Sequence, residues 1–178
     1  VQGENGLASS DSLADDFLDI LCVEVNPSLF MSFITVPDWR EHVSKKVIKP
    51  LVDKLLSAVK QAKSTKGDGA DARLKAGRKL MMDTRDTLAE LKRHLSSSAV
   101  QYQMIADKVG LEILQCGLDY YNDSDAEDAA RNAMKLQSYA LSVVVGQVAK
   151  DRCKENVDIL ENIIAEFPPQ EVFNEAKA

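Results

Sequence analysis

DARLKAGRKLMMDTRDTLAELKRHL, residues 71–95, is the stretch that decides the fold class. Leu74, Met81, Leu88 and Leu95 recur every seven residues, and Gly77, Thr84 and Leu91 fill the other positions of the same lattice. Apolar side chains at this period line one face of an α-helix and make the seam of a bundle. At ~1.5 Å per residue the segment spans about 37 Å, enough to run the full height of a bundle.

Downstream, the three serines at 96–98 offer candidate caps, so the chain is expected to reverse there. A helix over 98–122 places Ile105, Val109, Ile113 and Cys116 on one line and Leu111, Leu114, Leu118 and Tyr121 on another. So wide an apolar face predicts a central helix. Ser124 and Glu127 have the spacing of a capping box and predict the next helix start. That helix carries Ala129, Ala133, Leu136, Ala140, Val143, Val144 and Val148, and its alanine-lined half predicts close approach of a neighbouring backbone. Cys153, Val157, Leu160, Ile164 and Phe167 continue at 4-3-4-3 spacing until Pro168 and Pro169. No Gly or Pro is read as separating these two patterns. They read either as one helix of over forty residues or as two with a bend or break at 149–151, the second being the reading favoured.

Upstream, residues 63–71 (KSTKGDGAD) read as a loop. Before it, Val43, Val47, Ile48, Leu51, Val52, Leu55, Leu56 and Val59 form one apolar stripe of a helix opened by Pro37. Pro50 interrupts the stripe and predicts a kink or break at 46–50. A shorter helix starting at Ser12 would bury Leu13, Phe17, Ile20 and Leu21 before Asn26-Pro27 ends it. The chain therefore reads as all-α, an antiparallel bundle of five to seven helices in one domain over 11–168. A flexible polar segment at 1–10 precedes it, and 169–178 reads as the start of a further helix, as in a piece of a longer polypeptide.

Composition agrees with a globular chain: 45% of the residues are apolar and 28% charged, which excludes bulk disorder. The net charge of −6 is unevenly spread. Residues 1–37 hold six acids and no Lys or Arg; 38–66 carry a net +5; 110–178 carry −7. Such polarity suits complementary contacts within the fold or with a partner. Cys22, Cys116 and Cys153 form no close pair and are expected to be reduced and buried, which favours a cytoplasmic setting. No apolar run is long enough to span a membrane.

The chemistry for catalysis is thin. His42 and His94 stand apart from each other and from the cysteines, so no zinc spacing exists. His94 fits the C-terminal end of its helix, where the dipole favours a cation. The acids at 11–19 and 119–128 read as caps and solvated turns; the second group lacks the glycine and glutamate of a calcium loop. Lys66-Gly67-Asp68-Gly69 follows a helix rather than a strand and is no P-loop. No enzyme activity, cofactor or metal is expected.

The strongest positive feature is the basic run Arg40, Lys45, Lys46, Lys49, Lys54, Lys60, Lys63 and Lys66. It supports nucleic-acid binding as an alternative function, although only Trp39 lies near for stacking. A solvated helix face is the plainer reading.

Gly117, Tyr120 and Ala129 have the spacing of a tetratricopeptide repeat, but the pattern does not recur at the repeat period. LDYYNDSDAEDAARNAMKLQSYALSVVVGQVAKDRCKENVDILENIIAEFPP, residues 118–169, resembles a helical region of uncharacterised bacterial proteins, some of which carry a J-domain upstream. The likeness covers roughly residues 100–170. The J-domain's own His-Pro-Asp signature is absent, since His42 precedes Val-Ser and His94 precedes Leu-Ser. The resemblance implies a contact region for a partner or client in a chaperone-associated protein, and it carries over no functional residue.

The sequence thus predicts a non-enzymatic helical protein-interaction module of a larger bacterial protein. Its partner would be another protein or a domain of the same polypeptide. Trp39, Tyr120, Tyr121 and Phe173 are the aromatic candidates for contact, and Arg40, Lys45, Lys46 and Lys49 the cationic ones.

Overall fold

The computed structural model describes residue 41 and residues 44–95 and 98–166. A π-helical turn, Ser44–Ile48, leads into five helices. These are α1 (Lys49–Ser64), α2 (Ala70–His94), α3 (Val100–Asp123), α4 (Ala129–Val143) and α5 (Gln147–Glu166). Among the described residues no strand occurs, and the chain is an all-α helical bundle. The expected helices before residue 37 and the stop at Pro168 lie outside the described residues.

The irregularity predicted at 46–50 is the π-helical turn. Pro50 sits in the first turn of α1, directly after the π-helical turn, and removes one backbone donor from the helical ladder there. The preceding residues absorb the mismatch as i→i+5 geometry. The 63–71 loop is present as residues 65–69, with Gly67 at φ 97° and Gly69 at φ 95°, conformations that favour glycine.

α2 buries Leu74, Gly77, Leu80, Thr84, Leu88 and Leu91, so the seven-residue seam holds along most of its length. Leu80 takes the fully buried place expected of Met81, which is half-buried against the core. α3 is the central helix: it packs on α1, α2, α4 and α5. It buries Ile105, Val109, Ile113, Leu114 and Cys116, as its wide apolar face requires. Its N-cap residue is Ala99, with no side-chain cap bond, and Ser96 and Ser97 lie outside the described residues.

The alanine-lined face of α4 does admit a neighbouring backbone. A Cβ added to Gly117 of α3 would stand 3.4 Å from the Ala133 carbonyl oxygen. One added to Gly110 would stand 3.1 Å from the Ala140 carbonyl and 2.5 Å from Val144 Cγ1. Two glycines seven residues apart thus face two alanines seven residues apart. Gln137 is fully buried beside Gly117, and its Oε1 has no hydrogen-bond partner.

Two helix ends differ from the sequence reading. Ser124 Oγ accepts a bond from the Ala126 N–H at 3.2 Å, a local turn, and α4 begins only at Ala129. The hydroxyl satisfied its nearest donor before a helix could form. The final break falls at residues 144–146, not 149–151. Gly146 is the separator, and Asp107 of α3 holds the link: its Oδ1 accepts the N–H groups of Val145 at 2.7 Å and Gly146 at 3.0 Å. The earlier break turns Val148 outward, to 85% exposure, rather than into the face shared with Val144.

Candidate functional site

Arg73 is the largest fully buried side chain of the described residues, at 2% exposure. It lies in the first turn of α2, next to Leu74 of the seam, so the helix carries it into the contact between α1 and α3. Its Nε donates to Asp119 Oδ2 at 2.8 Å and its Nη2 to Glu112 Oε1 at 3.1 Å. Its Nη1 donates to the Ala62 carbonyl at 2.6 Å and to Thr65 Oγ1 at 3.3 Å. A buried guanidinium needs this kind of satisfaction, because its desolvation is otherwise prohibitive. One side chain thereby ties the end of α1 to α2 and α3.

The acidic partners are a pair seven residues apart on α3. Glu112 is 6% exposed, and its Oε2 lies 3.9 Å from Lys63 Nζ. Burial pushes its carboxyl above the ordinary carboxylate value, while the hydrogen bond and charge of Arg73 and the charge of Lys63 pull it back. Asp119 also accepts from Gln115 Nε2 at 2.8 Å. Cys116 completes the cluster, with Sγ 4.0 Å from Glu112 Oε1. Burial raises its thiol to about 12, so it is protonated at neutral pH and no nucleophile. Cys116 and Cys153 are both free and buried.

Two grooves flank α1. The one towards α2 has a volume of about 400 Å³, a floor of Ala58, Ala62, Ala72, Ala76 and Leu80, and a rim of Gln61, Lys75, Lys79 and Asp83. Alanines four residues apart on each helix keep it open. Lys79 pairs with Asp83 on its own helix, whereas Lys75 has no ion pair among the described residues. The groove towards α3 has a volume of about 430 Å³ and is lined by Lys63, Lys66, Arg73, Lys108, Leu111, Glu112 and Gln115. Four of these side chains are cationic and one is anionic. Among the described residues no cluster of three His, Cys, Asp or Glu side chains has metal-site geometry.

The residues singled out from the sequence are scattered. Trp39, Arg40 and Phe173 lie outside the described residues, as does the side chain of Lys45. Lys46 in the π-helical turn and Lys49 at the start of α1 are exposed, and Lys49 donates to Asp53 at 2.7 Å. Tyr120 is in the core at 3% exposure. Tyr121 is half-buried and lines a pocket of about 480 Å³ with Ala130, Arg131 and Ile163. The basic run does not form one ridge: Lys63 and Lys66 turn towards α3. His94 closes α2, half-buried, and burial first and Arg93 second hold its pKa below the ordinary histidine value, against Glu90.

Sequence reasoning missed Arg73 and both grooves. A signal for Arg73 existed: Glu112 interrupts the apolar face of α3, and a carboxylate there needs a buried cation. No described helix is long and apolar enough to cross a membrane. No family model, curated protein or solved structure matches this chain.

Proposed function

We propose that this domain is a non-enzymatic helical interaction module that takes a helix of another protein into the α1–α2 groove. The observation that supports this is the floor of Ala58, Ala62, Ala72, Ala76 and Leu80. Small side chains leave room for large apolar ones from an incoming helix, which is how helix-in-groove recognition works. The occupant is an amphipathic helix with Leu-sized side chains on one face and an acidic flank. The acidic flank follows from Lys75 on the rim, which no described carboxylate engages. A chaperone-associated setting rests on the sequence resemblance of residues 100–170 alone.

Titration of the full chain with two designed fluorescent helical peptides, Leu-faced with either Glu or Lys flanks, tests the proposal. The Glu-flanked peptide is expected to bind in the micromolar range and to lose about tenfold or more in Ala76→Glu. Lys75→Glu is expected to erase the preference between the two flanks. Binding of neither peptide, with duplex DNA binding instead in a steeply salt-dependent way, would favour the nucleic-acid alternative and end the proposal. Sedimentation showing a dimer that Ala76→Glu dissolves would assign the groove to a second copy instead.

A further inference from the structure

We infer that the α1–α3 pocket binds a phosphate-bearing small molecule, held by Lys63, Lys66 and Lys108. Three elements contribute lysines to the lining of one pocket: Lys63 from the last turn of α1, Lys66 from the loop after it, and Lys108 from the middle of α3. Arg73 lies beneath them, and the pocket contains a single carboxylate, that of Glu112. The volume of about 430 Å³ exceeds that of a phosphate ion and suits a phosphate with an attached group.

The cations are not explained by the fold's own needs. Glu112 Oε1 is already held by Arg73 at 3.1 Å, and only Lys63 approaches its other oxygen, at 3.9 Å. The side chains of Lys66 and Lys108 have no hydrogen bond or ion pair among the described residues. The end of α1 does not require them either. The Ala62 carbonyl accepts from Arg73 Nη1 and from the Thr65 N–H, and the Lys63 carbonyl accepts from the Lys66 N–H at 3.1 Å. Lys108, in mid-helix, has no helix end to complement. Like charges so gathered repel one another, and a multivalent anion among them converts that repulsion into attraction.

The chemistry favours phosphate over a carboxylate ligand. Lysine ammoniums are rotatable point charges that close around a compact dianion, whereas a planar carboxylate is best met by an arginine fork. The only arginine here is committed to Asp119, Glu112, Ala62 and Thr65. Leu111 supplies an apolar wall for whatever the phosphate carries. Gln115 is engaged with Asp119 and serves as wall rather than donor.

The test is a two-dimensional amide NMR titration of the full chain with pyrophosphate, at constant ionic strength, with sulfate, a phosphatidylserine vesicle and a thymidine oligonucleotide as parallel arms. Saturable shifts at residues 63–66 and 108–112 are expected, with affinity weakened about tenfold or more in Lys66→Ala/Lys108→Ala and unchanged in Lys154→Ala. Both substituted lysines are exposed, so the variant keeps the fold. Linear shifts, or shifts matched by sulfate and retained in the double variant, would mean charge screening only and overturn the inference. Tighter binding of the oligonucleotide or vesicle than of pyrophosphate would overturn it too, by assigning the lysines to a macromolecular surface.

Discussion

Arg73 and Glu112, thirty-nine positions apart in the chain, meet at 3.1 Å with exposures of only 2% and 6%. The pair is the polar centre of an otherwise apolar interface among α1, α2 and α3. Removing Arg73 leaves Glu112 buried with only Lys63 near it, at 3.9 Å, and takes the cation from Asp119 as well, whereas removing Glu112 leaves Arg73 still held by Asp119 at 2.8 Å. Arg73→Met alone is expected to cost about 3–5 kcal/mol, and Glu112→Leu less, because Arg73 keeps Asp119 and the Ala62 carbonyl. The double variant should recover only part of the Arg73→Met loss: it removes the buried Glu112 charge but leaves Asp119 without its arginine. Urea unfolding of the four proteins in a double-mutant cycle checks both statements.

Gly110 should resist enlargement although it sits in mid-helix. Alanine there gains about 1 kcal/mol of helix propensity. The new methyl, however, would stand 2.5 Å from Val144 Cγ1 and 3.1 Å from the Ala140 carbonyl, and neither has room to withdraw. Overpacking of this kind costs about 1–3 kcal/mol, so Gly110→Ala is expected to be net destabilising by thermal melting. A stabilised Gly110→Ala would mean that α3 and α4 are not in close contact.

The Cys116 thiol makes stability fall at alkaline pH. Its pKa is raised from 9.0 to about 12 by burial, so the folded state keeps a proton that the unfolded chain releases. From about pH 9 upward each pH unit therefore draws off about 1.4 kcal/mol, until the folded thiol itself ionises. Below pH 9 the group contributes no slope. Cys116→Ala lacks this loss, so its stability relative to the parent should rise between about pH 8 and pH 10.5. Parallel pH dependences in the two proteins would refute the assignment.

Asp107 should control the attachment of α5. Its carboxylate is the acceptor for two backbone N–H groups in the link, and nothing else described accepts them. Asp107→Ala is expected to cost about 1–2 kcal/mol, the usual effect of losing a helix N-terminal cap. Hydrogen exchange should show the loss first in residues 147–153. Protection lost evenly across the bundle would instead point to a global role.

How much of this was legible in the sequence depended on how local each cause is. The α2 seam was readable because Leu74, Leu88 and Leu91 declare their face through spacing alone. The close approach of α3 and α4 was readable from the alanines of α4. Arg73 was not, because an arginine in an amphipathic pattern is taken as solvent-facing until its partners are known. Those partners lie on another helix. The break at 144–146 was misplaced for a similar reason. Gly146 was a local signal, but the carboxylate that stabilises the turn comes from Asp107, far back in the chain. Alanine pairs at 58/62 and 72/76 were visible too. Whether such a pair is filled or left open is set by the paths of the helices, which no single pattern encodes.

The π-helical turn followed by Pro50 carries a consequence for how helical order spreads. Helix growth propagates residue by residue through a continuous i→i−4 ladder. Ser44–Ile48 substitutes another bonding pattern for that ladder, and Pro50 has no N–H to contribute to it. Melting that starts upstream therefore loses its track before reaching Leu55 and Val59, which anchor α1 in the core. The position of α1 is thus set by its core side chains rather than by an unbroken backbone ladder running into it.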